Sequence, residues 1–159
     1  MQANKTQYGR ALAIIPSDTV PIPNIATEVV RSETTGSDTN LLIDNDTNFS
    51  LLNVNQMAIV YNLSNNSCTT AISLDGDYSL LLTDDIMGSG DSYVIYNEAD
   101  IAGCALLVQT KKAPELIVKM IGGDVVTLYL NGESTTLLPI NVSMVYASSA
   151  DIKNVVGLW

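Results

Sequence analysis

Histidine is missing from this 159-residue sequence. Its absence excludes Cys2His2 zinc fingers, catalytic Cys–His pairs and hydrolase triads. Cysteine is scarce: Cys68 and Cys104 stand 36 positions apart and neither has a CxxC neighbour. They read as small buried thiols, with a disulfide between them left open. Positive charge is scarce too. Seven basic residues face seventeen acidic ones, a formal net charge of −10. Such a chain repels phosphate backbones and anionic lipid, so neither nucleic acid nor membrane is an expected partner. Apolar runs fall far below the roughly 18–20 residues needed to span a bilayer. The first ten residues are polar, and the apolar run 11–15 is too short for the core of a signal peptide. The expectation is synthesis in a cytoplasm without export by the general route.

What is present is a core-forming chain. Hydrophobic residues make up 47% and charged residues 15%, which is not the composition of a disordered acidic tail. Asn, Ser and Thr supply about a quarter of the residues. These side chains compete with helical hydrogen bonds and favour strands and turns. Strands are predicted over 9–15, 26–31, 41–43, 56–63, 69–74, 78–83, 92–96, 103–110, 116–121 and 124–130. Within 56–63, Met57, Ile59, Tyr61 and Leu63 share one face. Asp75-Gly76, Gly122-Gly123 and Asn131-Gly132 mark tight turns. A single helical turn near 97–102 is weakly signalled, and no run of 12 or more residues has helical periodicity with caps. The expected class is all-β: a β-sandwich or jelly-roll-like barrel of short antiparallel strands with an extended N-terminal arm. The arm and first strand take 1–23 and the sandwich 24–159, with 40–115 a candidate inserted β subdomain. Outside Lys111-Lys112 the usual edge-blocking cations are nearly absent, so neighbouring subunits are expected to cover some strand edges.

Candidate chemistry is thin. Asp44 with Asp46, Asp75 with Asp77, and Asp84-Asp85 have no spacing tied to a reaction and sit where turns place them in water. The stretch from Asp44 resembles the opening of a calcium loop, but Phe49 occupies the glycine position and Asn55 the place of the bidentate glutamate. Gly88-Ser89-Gly90 lacks the lysine of a phosphate loop. Sequons such as Asn48-Phe49-Ser50 and Asn62-Leu63-Ser64 follow from the abundance of Asn, Ser and Thr. Seven tyrosines could form a sugar-binding platform, although a strand tyrosine is more often packing. No catalytic, cofactor or metal-ligating residue is assigned.

The last stretch is the most informative. Ile140, Val142, Met144 and Tyr146 alternate with Asn141, Ser143, Val145 and Ala147, the pattern of a half-buried strand. A polar turn over 148–151 leads to the apolar run 155–159, which ends on Trp159. This reads as a strand docked into a sheet or subunit interface with the indole as a plug. Near the start stand Arg10, Ile14, Pro16, Ser17, Asp18 and Thr19. Near the end stand Gly122-Gly123, Val126-Thr127, Leu138-Pro139-Ile140, Val142, Val145, Ala147 and Val155-Val156-Gly157-Leu158-Trp159. Together these stretches resemble short virion proteins of tailed bacteriophages and gene transfer agents, of the head-spike base or capsid decoration (cement) type. The resemblance covers about the first 25 and the last 45 residues. It implies a non-enzymatic protein on the capsid exterior that stabilises the head, assembled in the host cytoplasm. The alternative is a head-spike base or a fibre-associated module that binds host glycans. The partners implied are a major capsid protein and further copies of the chain, a trimer favoured over a pentamer. The candidate interface residues are Tyr8, Arg10, Ile14, Pro16, Tyr146, Leu158 and Trp159.

Overall fold

The computed structural model describes residues 8–147 and 150–159. The expected arm at 1–7 lies outside the described residues, as do Ser148 and Ser149 of the expected turn. The chain is all-β, as expected, and its strands form two antiparallel sheets. The strands are β1 (Ala11–Ala13), β2 (Glu28–Glu33), β3 (Gly36–Asp38), β4 (Leu41–Ile43), β5 (Ile59–Asn62), β6 (Ser67–Leu74) and β7 (Ser79–Leu82). They continue with β8 (Ser92–Tyr96), β9 (Cys104–Thr110), β10 (Glu115–Met120), β11 (Val125–Tyr129), β12 (Thr135–Val145) and β13 (Ile152–Leu158). One 3-10 turn, Ile25–Thr27, is capped by the Asn24 side chain, which accepts from the Ala26 N–H.

Two compact units result: residues 17–101, and residues 8–16 with 102–159. These limits differ from the 40–115 read for an inserted section. The reason lies in pairings distant in sequence: β2 joins β8, so the segment before 40 belongs to the middle unit. β9 joins β12 and β13, so the segment after 101 belongs to the other.

The middle unit holds the seven-stranded sheet, ordered β2-β8-β5-β6-β7-β4-β3. Its inner strand β5 is buried on both faces. Val60 packs with Leu42, Phe49, Leu80, Leu82, Tyr93 and Ile95 in one cluster. Tyr61 meets Tyr96 edge to face on the other side, ring centroids 5.9 Å apart. Met57 and Leu63, expected on one face with Ile59 and Tyr61, are exposed. Met57 sits at φ 67°, outside the extended region, so strand alternation stops before it. The segment 97–102 is not a helical turn: Ala99 makes an isolated bridge to Pro23.

The other unit holds the six-stranded sheet, ordered β1-β13-β9-β12-β10-β11. Here the strict alternation expected after Ile140 breaks. Lys119 faces Met144 but Met120 faces Val142, leaving Ser143 as the extra residue of a bulge. The bulge turns Val142 and Val145, three apart, onto the same buried face. The Ser143 hydroxyl donates to the carbonyls of Lys119 and Met120 at 3.1 and 3.3 Å, satisfying acceptors beside the bulge.

Candidate functional site

The two ends that carry the resemblance lie side by side. β1 pairs with β13 in the register Ala11 to Leu158, Leu12 to Gly157 and Ala13 to Val156. Beyond it, Trp159 N–H donates to the Arg10 carbonyl at 3.0 Å, and Gly9 and Arg10 N–H donate to the Trp159 carbonyl at 2.6 and 3.2 Å. Ile14 N–H closes the ladder on the Val155 carbonyl at 2.8 Å. The indole lies over Gly157: a methyl group there would come within 2.8 Å of Trp159 Cη2 and 3.0 Å of Cys104 Sγ. Glycine suits the position, because any Cβ there would force the ring or the sulfur to shift.

Of the candidate interface residues, Arg10, Leu158 and Trp159 gather at this pair, with Arg10 exposed and the other two half-buried. Tyr8 and Pro16 flank it, each half-buried. Ile14 is buried and belongs to the core rather than the surface. Tyr146 stands apart, beyond β12, where its N–H donates to the Ile117 carbonyl. The turn written as Ser17-Asp18-Thr19 forms as expected: Ser17 Oγ accepts from Thr19 and Val20 N–H at 3.2 and 3.1 Å.

No family model, curated protein or solved structure matches this chain. The chemistry of its side chains must therefore speak for itself.

Asp44 is buried, and its carboxylate is occupied by the fold. Tyr93 Oη donates to Oδ2 at 2.7 Å and the Asp46 N–H to Oδ1 at 3.0 Å. Burial pushes the Asp44 carboxyl up, but hydrogen bonds from Thr47, Tyr93, Ser32 and the Asp46 N–H outweigh it and hold the group below the usual carboxylate range. Burial, and then the bond to Asp44, pushes the Tyr93 hydroxyl well above the usual tyrosine range. This pair is a brace that ties β8 to the turn after β4. Asn62 Nδ2 donates to the Ile86 carbonyl and to Asp91 Oδ2, both at 2.7 Å. Asp91 Oδ2 also accepts from the Gly88 N–H, so the glycine loop is pinned shut by its own neighbours. Cys68 is half-buried and Cys104 buried, and the two form no disulfide with each other. Burial pushes the Cys68 thiol up to about 11, which suppresses the nucleophilic thiolate. Among the described residues no three His, Cys, Asp or Glu side chains are grouped to hold a metal ion.

The tyrosines divide. Tyr61, Tyr93 and Tyr96 are core. Of the middle-unit tyrosines only Tyr78 is exposed, which leaves a sugar platform there without a second ring from this residue type.

Sequence reasoning passed over one further surface. Paired residues share a face and successive residues alternate, so Tyr129, Thr127 and Val125 of β11 lie on one face with Glu115, Ile117 and Lys119 of β10. Met144 of β12 continues the row through Lys119. Exposure is high along it: Tyr129 80%, Val125 57% and Ile117 38%. The signal was available in Val-Val-Thr-Leu-Tyr, an uncharged strand between Gly122-Gly123 and Asn131-Gly132.

Proposed function

We propose that this chain is a non-enzymatic structural protein of a tailed-phage virion, mounted on the capsid exterior as a decoration or cement protein. One observation carries the reading: the two terminal stretches that bear the resemblance, far apart in sequence, are hydrogen-bonded neighbours in one sheet. Apart from Ser17, Asp18 and Thr19, every residue of the resemblance falls in the unit of 8–16 and 102–159. The stretch without a counterpart, about 40–115, falls mostly in the middle unit, as an elaboration on a shared attachment module would.

Adhesion is the work such an arrangement supports. The buried carboxylate of Asp44 is held in a brace, Asp91 pins its own loop, and one sheet ends in exposed apolar strands. Attachment proceeds through a major capsid protein and sister copies in a closed ring, a trimer before a pentamer, where many weak contacts sum to tight binding. The net charge of −10 disfavours unspecific association of free copies before assembly.

The experiment is electron microscopy of particles from the replicon that encodes the chain, with the chain tagged. Label at every lattice point is the expected result. Label confined to vertices assigns the spike-base role instead, and unlabelled particles overturn the virion reading. Removing residues 1–8 is expected to lower occupancy on purified heads while leaving the domain folded.

A further inference from the structure

Among the described residues four strands end the two sheets, and three of them are guarded. β2 carries Glu28, Arg31 and Glu33 and an irregular register between Glu28 and Val30. Arg31 and Glu28 form a bidentate pair there, at 3.1 and 3.0 Å. β3 has three residues and ends on Asp38. β1 has three residues, with Pro16 shortly after it. Charge, brevity, bulges and proline are the ordinary means of keeping a sheet edge from pairing with another chain. β11 has none of them. It is five residues long, regular in its pairing, uncharged and rich in β-branched and aromatic side chains.

Its hydrogen-bonding parity is informative. Met120 N–H donates to the Asp124 carbonyl and Leu130 N–H to the Pro114 carbonyl. Even-numbered residues of this stretch therefore face β10, and Val125, Thr127 and Tyr129 turn their N–H and C=O groups to the open edge. These three positions are symmetric about Thr127. We propose that two copies of the chain pair through β11, antiparallel, about a two-fold axis at Thr127.

In that register Thr127 faces Thr127 of the second copy, and Val125 faces Tyr129 on both sides of the axis. Each facing pair exchanges two main-chain bonds, about six in all, so every outward group of the strand is satisfied. The aromatic and β-branched side chains meet on one face, a favourable cross-strand combination. No charged residue lies in either strand, so in a chain of net charge −10 the contact sets no like charges opposite each other. At one hydrogen bond per 100–200 Å² of interface, six bonds correspond to about 600–1,200 Å² in total. That is the low end for specific association, the range of reversible contacts. The two-fold is self-complementary and closed, and it stands on β11 alone, with or without a virion.

The test is sedimentation velocity of the full chain from about 1 to 100 μM. The wild type is expected to pass from a 17.0 kDa monomer to a species of twice that mass. Thr127→Pro removes an N–H that points away from β10. It is expected to be monomeric throughout, with unchanged circular dichroism. Tyr129→Lys leaves the backbone intact and is expected to weaken dimerisation at least tenfold, which keeps the test alive if the proline variant does not fold. Under mild oxidation Thr127→Cys is expected to link to itself, since facing Cα atoms about 5.5 Å apart lie within disulfide range. Val125→Cys alone is expected not to link, and the wild type with its two native thiols serves as the blank. A wild type still monomeric at 100 μM overturns the proposal. So does a dimer that survives both edge variants, linkage through Val125→Cys rather than Thr127→Cys, or a trimer that uses β1 against β11.

Discussion

The unit of residues 17–101 keeps its largest side chains inside and its sheet edges guarded, whereas the unit of 8–16 and 102–159 leaves a clean edge and apolar side chains in water. Tyr61, Tyr93, Tyr96 and Phe49 are all fully buried in the first. Its exposed apolar side chains are spread over turns, at Leu51, Met57, Leu63, Tyr78 and Ile101, and over the end of β6, at Ile72 and Leu74. In the second unit Ile117, Val125, Val126, Tyr129 and Leu137 stand on three adjacent strands. A sheet end that spends apolar surface on solvent is stable when free but gains by pairing. The contrast separates a part built to be complete from a part built to be joined.

The comparison breaks first at the middle core. Tyr93→Ala removes a ring packed at 6.4 Å from Phe49 and strips Asp44 of a donor. The expected cost is about 3–5 kcal/mol of stability, read by urea unfolding followed through tyrosine near-ultraviolet dichroism, to which Tyr61, Tyr93 and Tyr96 contribute. A loss under about 1 kcal/mol would mean the core is less closed than its burial states.

The joining unit is tested at Gly157. Gly157→Ala forces the indole or the Cys104 sulfur to move, and over-packing of this kind costs about 1–3 kcal/mol. Trp159 is the sole tryptophan, so its emission reports the displacement directly. The expected signs are a red shift and a lower unfolding midpoint, and unchanged emission would dissociate the ring from Gly157.

Much of this architecture was legible in the sequence, and the misses share one cause. β4 and β8 were read with their actual bounds because turn residues bracket short apolar runs: Asp44-Asn45-Asp46 after Ile43, and Asp91 before Ser92. The docked last strand was legible in its apolar run. Its partner strand was not, since β1 and β13 lie more than a hundred residues apart and nothing local encodes their register. The bulge at Ser143 was invisible because alternation alone assumes uniform pairing, and one inserted residue reverses every face beyond it. Met57 and Leu63 misled for the same reason, extending an alternation past the ends of its strand. At the site, Ile14 was chosen for its motif and proved to be core, while β11 was read only as half of a hairpin. Its importance comes from standing last in the sheet, which no stretch of sequence reveals by itself.

The contrast between edges sharpens with a gain of function. Replacing Glu28, Arg31 and Glu33 by threonine in the Thr127→Pro background strips β2 of its charges while β11 stays blocked. The exposed Arg31–Glu28 pair is worth at most about 1 kcal/mol, so folding is expected to be nearly unchanged. Association, by contrast, is expected to return at tens of micromolar in sedimentation runs. If the triple variant stays monomeric, the irregular register at Glu28 rather than charge protects that edge.

The smallest effect at neutral pH is the brace between Asp44 and Tyr93, which shows itself only at the extremes. Asp44 ionises more readily folded than unfolded, so its contribution is whole above the ordinary carboxylate value of about 3.9 and is lost as pH falls below it. Tyr93 gives up its proton less readily folded than unfolded. Its contribution is whole below the ordinary tyrosine value of about 10 and is lost as pH rises beyond that. The Asp44–Tyr93 pair should thus contribute fully between about pH 4 and pH 10, while Cys68 and Tyr96, also raised by burial, add to the loss on the alkaline side. Tyr93→Phe removes the alkaline contribution of this residue while leaving Asp44 ionised, and Asp44→Asn removes the acid one while leaving an oxygen for Tyr93 Oη to meet. Unfolding midpoints at pH 3, 7 and 11 for the three proteins separate the limbs. The expected pattern is a flatter acid limb in Asp44→Asn alone and a flatter alkaline limb in Tyr93→Phe. Parallel curves for all three would place the pH sensitivity in the solvated turn carboxylates and leave the pair a purely steric fastening.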